Sequence, residues 1–341
     1  MNSGISGYVI QRLLGTIPIL IGVGIVTFVL VRVLPGDPAV FYVTGPVVTQ
    51  EAVQAVREAL GLDQPLYLQL FHYFGQILTG DLGRSLTTGQ AVTVSLMQRL
   101  PASLELSIVA MTLAIALSIP LGIIAATRLG TWSDYAIRFA ATVGVSLPAS
   151  VLGILLILVF YYYVGFAPDP IGRLDPFVAT PQSITGFLLI DSLLAGNLEA
   201  FRSAAAQVAL PALTVALVVM GPILRITRSS MVDVLTSDYI RTCRAAGFNW
   251  WTTYVRYGLR NALLPVLTTV GLIIAYLIGA NVVVEKLFAW PGVGAYSIDA
   301  LLASDYAPVQ GYMLLMTALF VVINTMVDVL SALVDPRVRA Q

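Results

Sequence analysis

Of 341 residues, 58% are hydrophobic and 11% charged, the formal net charge is zero and the mean hydropathy is +0.88. That balance leaves too little polar surface for a soluble domain and suits a chain whose solvent is lipid, and it gives no reason to expect nucleic acid. The single cysteine, Cys243, excludes an internal disulfide and a cysteine-rich metal site. The single histidine, His72, leaves no basis for a histidine metal cluster or a Ser-His-Asp triad, and no cofactor is expected.

Crossing a hydrocarbon core of about 30 Å takes roughly 20 apolar helical residues. Uncharged stretches of that kind run Leu13–Val31, Leu106–Thr127, Phe139–Phe166, Ser203–Leu224, Ala262–Val284 and Tyr306–Val327, so the expected fold is all-α and membrane-integral with six spans. The first stretch, 19 residues with no small-x-small site after it, reads as a retained helix and not as a signal peptide.

After it, Leu34-Pro35-Gly36-Asp37-Pro38 stops the helix and opens an extended outer loop. Within that loop Glu51–Leu60 predicts a short amphipathic helix with Ala52, Val56, Ala59 and Leu60 on one face and Gly61 as its C-cap. Tyr67–Leu78 predicts a second, aromatic-rich helix. Its His72 lies beside Phe71, Tyr73 and Phe74, a setting that favours a packed or interfacial histidine over a ligand. Pro120, Pro148 and Pro222 are expected to kink or locally unwind their spans, though membrane helices carry prolines routinely and no pathway role is assigned from them.

Between the fourth and fifth spans, residues 225–261 form the most informative loop. Tyr239, Thr242, Cys243 and Ala246 fall at i, i+3, i+4 and i+7 on one face of a short helix, with Arg241 and Arg244 on another. Gly247 stops this helix, and Asn249 can cap the next one, which carries Trp250, Trp251, Tyr254 and Tyr257. Such a helix–glycine–helix elbow either meets another protein or lies on lipid headgroups. In the membrane, Asn281, Asn324 and Asp328 are polar residues of a pathway or of helix packing. Asn324 and Asp328 share a face one turn apart; Asp328 faces the bundle interior or, as preferred, reaches interfacial water near a helix end.

An even number of spans puts both termini on one side. That side holds Arg12, Arg128, Arg138, the six arginines from Arg225 to Arg260, Arg337 and Arg339, against Arg173, Arg202 and Lys286 in the shorter loops opposite. Eleven basic residues against three assign the termini and the elbow to the cytoplasm.

Several stretches, in order, resemble the permeases of the dipeptide/oligopeptide/nickel class of ABC importers: YVIQRLLG (Tyr8–Gly15), VLPGDPA (Val33–Ala39), GLDQPLY (Gly61–Tyr67), GDLGRS (Gly80–Ser85), RLPASLEL (Arg99–Leu106), VEKLFAWPGVG (Val284–Gly294) and Asn324–Arg339, ending in DPRVR. The elbow, Tyr239–Pro265, is similar to that family's EAA loop. Arg241, Thr242 and Cys243 stand where the general pattern has Glu-Ala-Ala. Arg-Thr at the first two positions fits the peptide branch, and Cys243 is a small change on a packed face.

The resemblance implies a type I ABC importer permease fold, with an N-terminal helix and outer loop over 1–100 and a permease domain over 101–341. It implies four kinds of neighbour: a second homologous permease, two ATPase subunits, an extracytoplasmic substrate-binding protein and membrane lipid. It implies ATPase docking at Tyr239, Arg241, Thr242, Cys243, Arg244, Ala246 and Gly247, with Leu264 and Pro265 closing the loop. The chain looks like the partner with the long outer loop, in a cell inner membrane, carrying peptides. No G-x-x-x-x-G-K-[ST] pattern occurs and the one lysine is Lys286, so ATP hydrolysis is expected in partner subunits and the chain itself is not an enzyme. The rivals are an ion-coupled secondary transporter, which expects mid-membrane ionisable groups and an internal repeat, and an intramembrane hydrolase, which lacks its base here.

Overall fold

The computed structural model describes residues 5–33, 49–59, 61 and 63–334. The described residues form helices joined by loops. Two helices dominate, α4 (Val92–Thr127) and α8 (Leu198–Leu235), 36 and 38 residues long. At 1.5 Å per residue they run to about 54 and 57 Å, well beyond a bilayer core. The second and fourth expected spans therefore lie inside longer helices, α4 continuing past the apolar stretch at its N-terminal end and α8 at both ends.

α4 and α8 pack on each other through small side chains. Ala110, Ala114, Ala212 and Ala216 are fully buried, and the Ser118 hydroxyl donates to the Met220 carbonyl at 3.1 Å. A Cβ on Gly122 would stand 2.7 Å from Thr227. Such close approach is how helices associate where lipid supplies no hydrophobic drive.

Among the described residues four helical stretches are long and apolar enough to cross a bilayer: α4, α8, Trp251–Ile274 and Tyr306–Val327. The third expected span, Phe139–Phe166, is not one straight helix. It is a pair: α5 (Trp132–Ser146), and α6 (Ala149–Leu156) continued by a π-helical segment to Tyr163, bent by 111°. The reason is Pro148, whose ring disfavours helical geometry at the residue before it. Leu147 is extended at φ −87°, ψ 135° and Pro148 at ψ 141°. Pro120 and Pro222, by contrast, sit inside unbroken helices. The remaining candidate, α1 (Ile5–Val33), is 29 residues long and contains the shorter apolar stretch Gly15–Val29.

The segment between α1 and α4 contains α2 (Gln50–Ala59) and α3 (Leu66–Leu78), within a residue of expectation, with Gly61 at φ +64°. Phe74 of α3 lies against Gly24 of α1, and Tyr73 Oη is 3.2 Å from Thr27 Oγ1. His72 is exposed, and among the described residues no cluster of three metal-ligating side chains occurs. The 34–38 turn, the DPRVR end and the side chains of Ala52, Val56, Ala59 and Asp328 lie outside the described residues.

α7 (Leu188–Leu194) precedes α8, and α9 (Asp238–Ala245) follows it. A π-helical segment, Trp251–Leu259, runs into α10 (Arg260–Ala280), followed by α11 (Val282–Leu287), α12 (Val293–Leu302) and α13 (Tyr306–Val334). The fifth expected span, Ala262–Val284, is thus displaced towards the elbow, and the helix ends at Ala280.

α5 also meets α8 through glycines: a Cβ on Gly221 would stand 2.2 Å from Val145 Cγ2. Gly221→Val is therefore expected to destabilise the fold by about 1–3 kcal/mol through overpacking. Thermal unfolding in detergent should show a lower midpoint. Gly75→Ala, within α3 and with open space around it, should not lower it.

Candidate functional site

The elbow begins where α8 ends. Gly247 has φ +74° and closes α9 with two hydrogen bonds: Gly247 N–H donates to Arg244 O at 3.0 Å, and Phe248 N–H to Cys243 O at 3.1 Å. This is the Schellman pattern, which needs a left-handed residue at the glycine position. No heavy atom outside its own chain neighbours lies within 4 Å of a Cβ built on Gly247, so the requirement there is conformational and not spatial. Asn249 Oδ1 accepts from Thr252 N–H at 2.8 Å, the cap expected from the sequence.

The face assigned to Tyr239, Thr242, Cys243 and Ala246 is divided in the structure. Cys243 is buried together with Ile240, which is 0% exposed, while Tyr239, Thr242, Ala246, Arg241 and Arg244 are exposed. The apolar face has a partner within the chain, and Ile240, one position along, turns the inward side towards Cys243. The outward surface consists of Tyr239, Thr242 and Ala246 with the two arginines. Arg241 pairs with Asp238 at 3.3 Å, and the Arg244 guanidinium lies 5.4 Å from the Tyr254 ring centroid.

Beneath the elbow, Met231 of α8, Ile123 and Ala126 of α4 and Ala262 of α10 form a small apolar floor with Tyr254 and Leu259 packed on it. Phe248 stacks on Tyr257 with centroids 6.0 Å apart. Leu264 and Pro265 lie on the exposed side of α10, which runs through Pro265 unbroken.

The polar membrane candidates do not converge. Asn281, 1% exposed, donates from Nδ2 to Ser107 Oγ at 2.7 Å, tying α10 to α4. Asn324 Nδ2 donates to Phe320 O in its own helix. An open, mainly apolar groove of about 600 Å³ between α1 and α13 is lined by Val23, Val26, Met313 and Met316, with Thr27 and Thr317 as polar members.

The end opposite the elbow holds a polar network that sequence reading did not identify. Ser103 of α4 donates to Glu285 Oε1 at 2.6 Å and its oxygen accepts Val293 N–H at 2.9 Å, while Ala295 N–H donates to Glu285 Oε2 at 3.0 Å. Trp290 Nε1–H donates to Ala102 O at 2.8 Å. A Cβ on Gly292 would fall 2.3 Å from the Glu285 carboxylate. RLPASLEL and VEKLFAWPGVG are therefore two halves of one contact. Next to it, Glu105 pairs with Arg173 and accepts Leu189 N–H at 2.8 Å.

Asp191 closes the adjoining loop. Burial pushes its carboxyl up, but the Thr185 hydroxyl and the N–H groups of Thr185, Ile184 and Gly186 outweigh this and hold it below the usual aspartate range. A depressed folded pKa contributes stability that is present above the unfolded value of about 3.9 and lost as pH falls through the folded one. Asp191→Asn should cost about 1–3 kcal/mol at neutral pH by opposing donors with a donor. Its deficit in thermal midpoint against the parent should shrink as the pH is lowered from 7 towards 3.

Two family models match the chain: "Binding-protein-dependent transport system inner membrane component" over residues 118–340, and the N-terminal model for the membrane component of such systems over residues 5–107. The chain is 40% identical over 328 residues to the probable D,D-dipeptide transport system permease protein DdpB of Escherichia coli (strain K12), covering 96% of each. It is 37% identical to the dipeptide transport system permease protein DppB of Alkalihalophilus pseudofirmus, covering 97% of this chain and 99% of that one. It is 38% identical to the glutathione transport system permease protein GsiC of Escherichia coli O6:H1, covering 97% and 98%.

Proposed function

The chain belongs to the family of binding-protein-dependent transport system inner membrane components, a multi-pass transport subunit and not an enzyme, and on that premise we propose that it is the long-loop permease of an ATP-driven importer for small peptides. With a second homologous permease it forms the pathway. Two ATPase subunits bind the elbows, and an extracytoplasmic binding protein delivers substrate. All six candidate helices cross the bilayer, with both termini and the elbow in the cytoplasm. The peptide class is supported by the relatives, whose names give D,D-dipeptides, dipeptides and glutathione. Transport then consists of two conformations biased by nucleotide through the elbow.

The observation that carries this reading is the elbow itself. An eight-residue helix, closed by Gly247 at φ +74°, presents Tyr239, Thr242 and Ala246 outward at the end of a 38-residue helix. Gly247→Val puts a β-branched side chain in the left-handed region, a strain of about 1 kcal/mol or more. The membrane helices are untouched, so membrane levels should stay normal while ATPase co-purification and uptake fall. If the elbow merely rests on lipid headgroups, co-purification will match the parent, and the docking reading fails.

The topology has its own test. Alkaline phosphatase fused near Thr88 should be active and fused at Gln341 inactive; activity at Gln341 removes the six-span orientation. The peptide class is tested by uptake into proteoliposomes holding the assembled complex and its binding protein, using L-alanyl-L-alanine, D-alanyl-D-alanine and glutathione. Uptake of none of the three would count against it.

A further inference from the structure

Asp134 stands at the start of α5 and Arg228 in the elbow half of α8, ten residues before α9 begins. Arg228 Nε donates to Asp134 Oδ1 at 2.7 Å and its Nη2 to Oδ2 at 2.8 Å, a bidentate pair. The Asp134 side chain is 2% exposed and that of Arg228 21%. Gly130 N–H, in the turn before α5, also donates to Oδ2 at 3.1 Å. The carboxylate is thus fixed by three donors from two parts of the chain.

The same two helices stay in register from this pair towards the end of α5. Asp134 meets Arg228, Ala141 O faces Gly221 at 3.2 Å from its built Cβ, and Gly144 faces Leu217 O at 2.7 Å from its own. Positions 134, 141 and 144 run against 228, 221 and 217, an antiparallel seam about ten residues long at each helix. Neither glycine accepts a side chain, so this seam does not slide freely. Beyond it, at Leu147–Pro148, the chain turns by 111° and α6 departs. The elbow lies at one end of the seam and this break at the other.

We infer that Asp134 and Arg228 are a positioning pair for coupling: they lock α5 to the elbow half of α8, so that the elbow, this half of α8 and α5 move as one body with the Leu147–Pro148 break as its boundary. This rests on the elbow's being the ATPase dock. The pair touches no substrate and no nucleotide. Its role is to carry displacement of the elbow into the bent span, and a single isolated substitution there changes transmission while leaving the dock intact. A buried bidentate pair suits this role because neither Lys nor a neutral partner reproduces its two-point geometry.

Spin labels at the exposed positions Ser146 and Thr236, in the assembled complex, give the direct test. The distance distribution should be the same in nucleotide-free and vanadate-trapped states of the parent, and should broaden or become state-dependent in Asp134→Asn and Arg228→Gln. The second readout is ATP hydrolysed per peptide taken up, with whichever peptide of the three above the parent imports. It should rise about fivefold in both variants, within the range seen for residues that modulate coupling, with ATPase co-purification unchanged. Asp134→Arg combined with Arg228→Glu should return the ratio towards the parent. Should the neutral variants accumulate poorly, Arg228→Lys, which keeps the charge but not the second hydrogen bond, carries both measurements and should be intermediate.

A label distance that already changes with nucleotide in the parent overturns the inference, and so do variants that keep the parent's distance and ratio. The two readings fail separately. Lost association in Gly247→Val with parental behaviour in the Asp134 and Arg228 variants removes the positioning role alone. Intact association in Gly247→Val removes the docking reading.

Discussion

Lipid withdraws the solvent that would otherwise drive two apolar helices together, so α4 and α8 hold each other by close backbone approach. Their most extensive contact is with each other, and it is built from alanines, Ser118 and Gly122 where larger side chains would separate the axes. Much of the rest is assembled on this pair, while α1 packs on α13 and α3. α5 and α10 lie against α8, the floor of the elbow is shared by α4, α8 and α10, and the buried polar network hangs from the far end of α4. Small residues at these crossings are therefore a steric requirement, which is why a built Cβ meets another atom at 2.2 Å at Gly221 and 2.7 Å at Gly122 and Gly144.

Short distances also demand that no polar group be stranded, since an unpaired backbone donor or acceptor in hydrocarbon is costly. The network opposite the elbow meets much of that demand with carboxylates, although Arg173 Nε, Tyr296 Oη and Asp305 Oδ1 are buried there without a hydrogen-bond partner. Glu285 collects donors from Ser103 of α4 and from the first turn of α12, Glu105 holds Arg173 and the start of α7, and Asp191 gathers three N–H groups and a hydroxyl. Asp305 does the same for the loop after α3, accepting from the Ser85 and Thr87 hydroxyls and Thr87 N–H. Each acid takes up irregular backbone that would otherwise lack partners, so the turns at that end are ordered without regular secondary structure.

How much of this was legible depends on the range of the physics involved. Helices α2 and α3, the φ of Gly247 and the Asn249 cap follow from neighbours within a turn or two, and all were readable. The bend at Pro148 was readable in kind, because Leu147 must leave the helical region, but its 111° depends on what α5 and α6 each pack against. The burial of α9 was only partly readable: periodicity groups Cys243 with Tyr239 and Thr242, whereas Cys243 is buried with Ile240 and the other two are exposed. Glu105, Asp134 and Glu285 were invisible as sites, since their partners lie 68, 94 and 182 residues away along the chain. The only signal was indirect. Ser103, Glu105 and Glu285 are polar residues inside largely apolar motifs, and a buried polar residue requires a partner somewhere.

The two arms of the elbow differ mechanically. The first arm is regular: α8 runs 38 residues, breaks briefly at Thr236–Ser237, and α9 is then fixed by Ile240 and Cys243 beneath it and by a closed C-terminal cap. The second arm, Trp251–Leu259, is π-helical, with the looser i→i+5 pattern that occurs in short pieces at functional positions. It has Thr253 buried and Gly258 beside Met231, a contact that a larger residue would push away from the floor. The two arms are thus built differently: a short capped helix set off from α8 by a break on one side, and a π-helical segment running directly into α10 on the other.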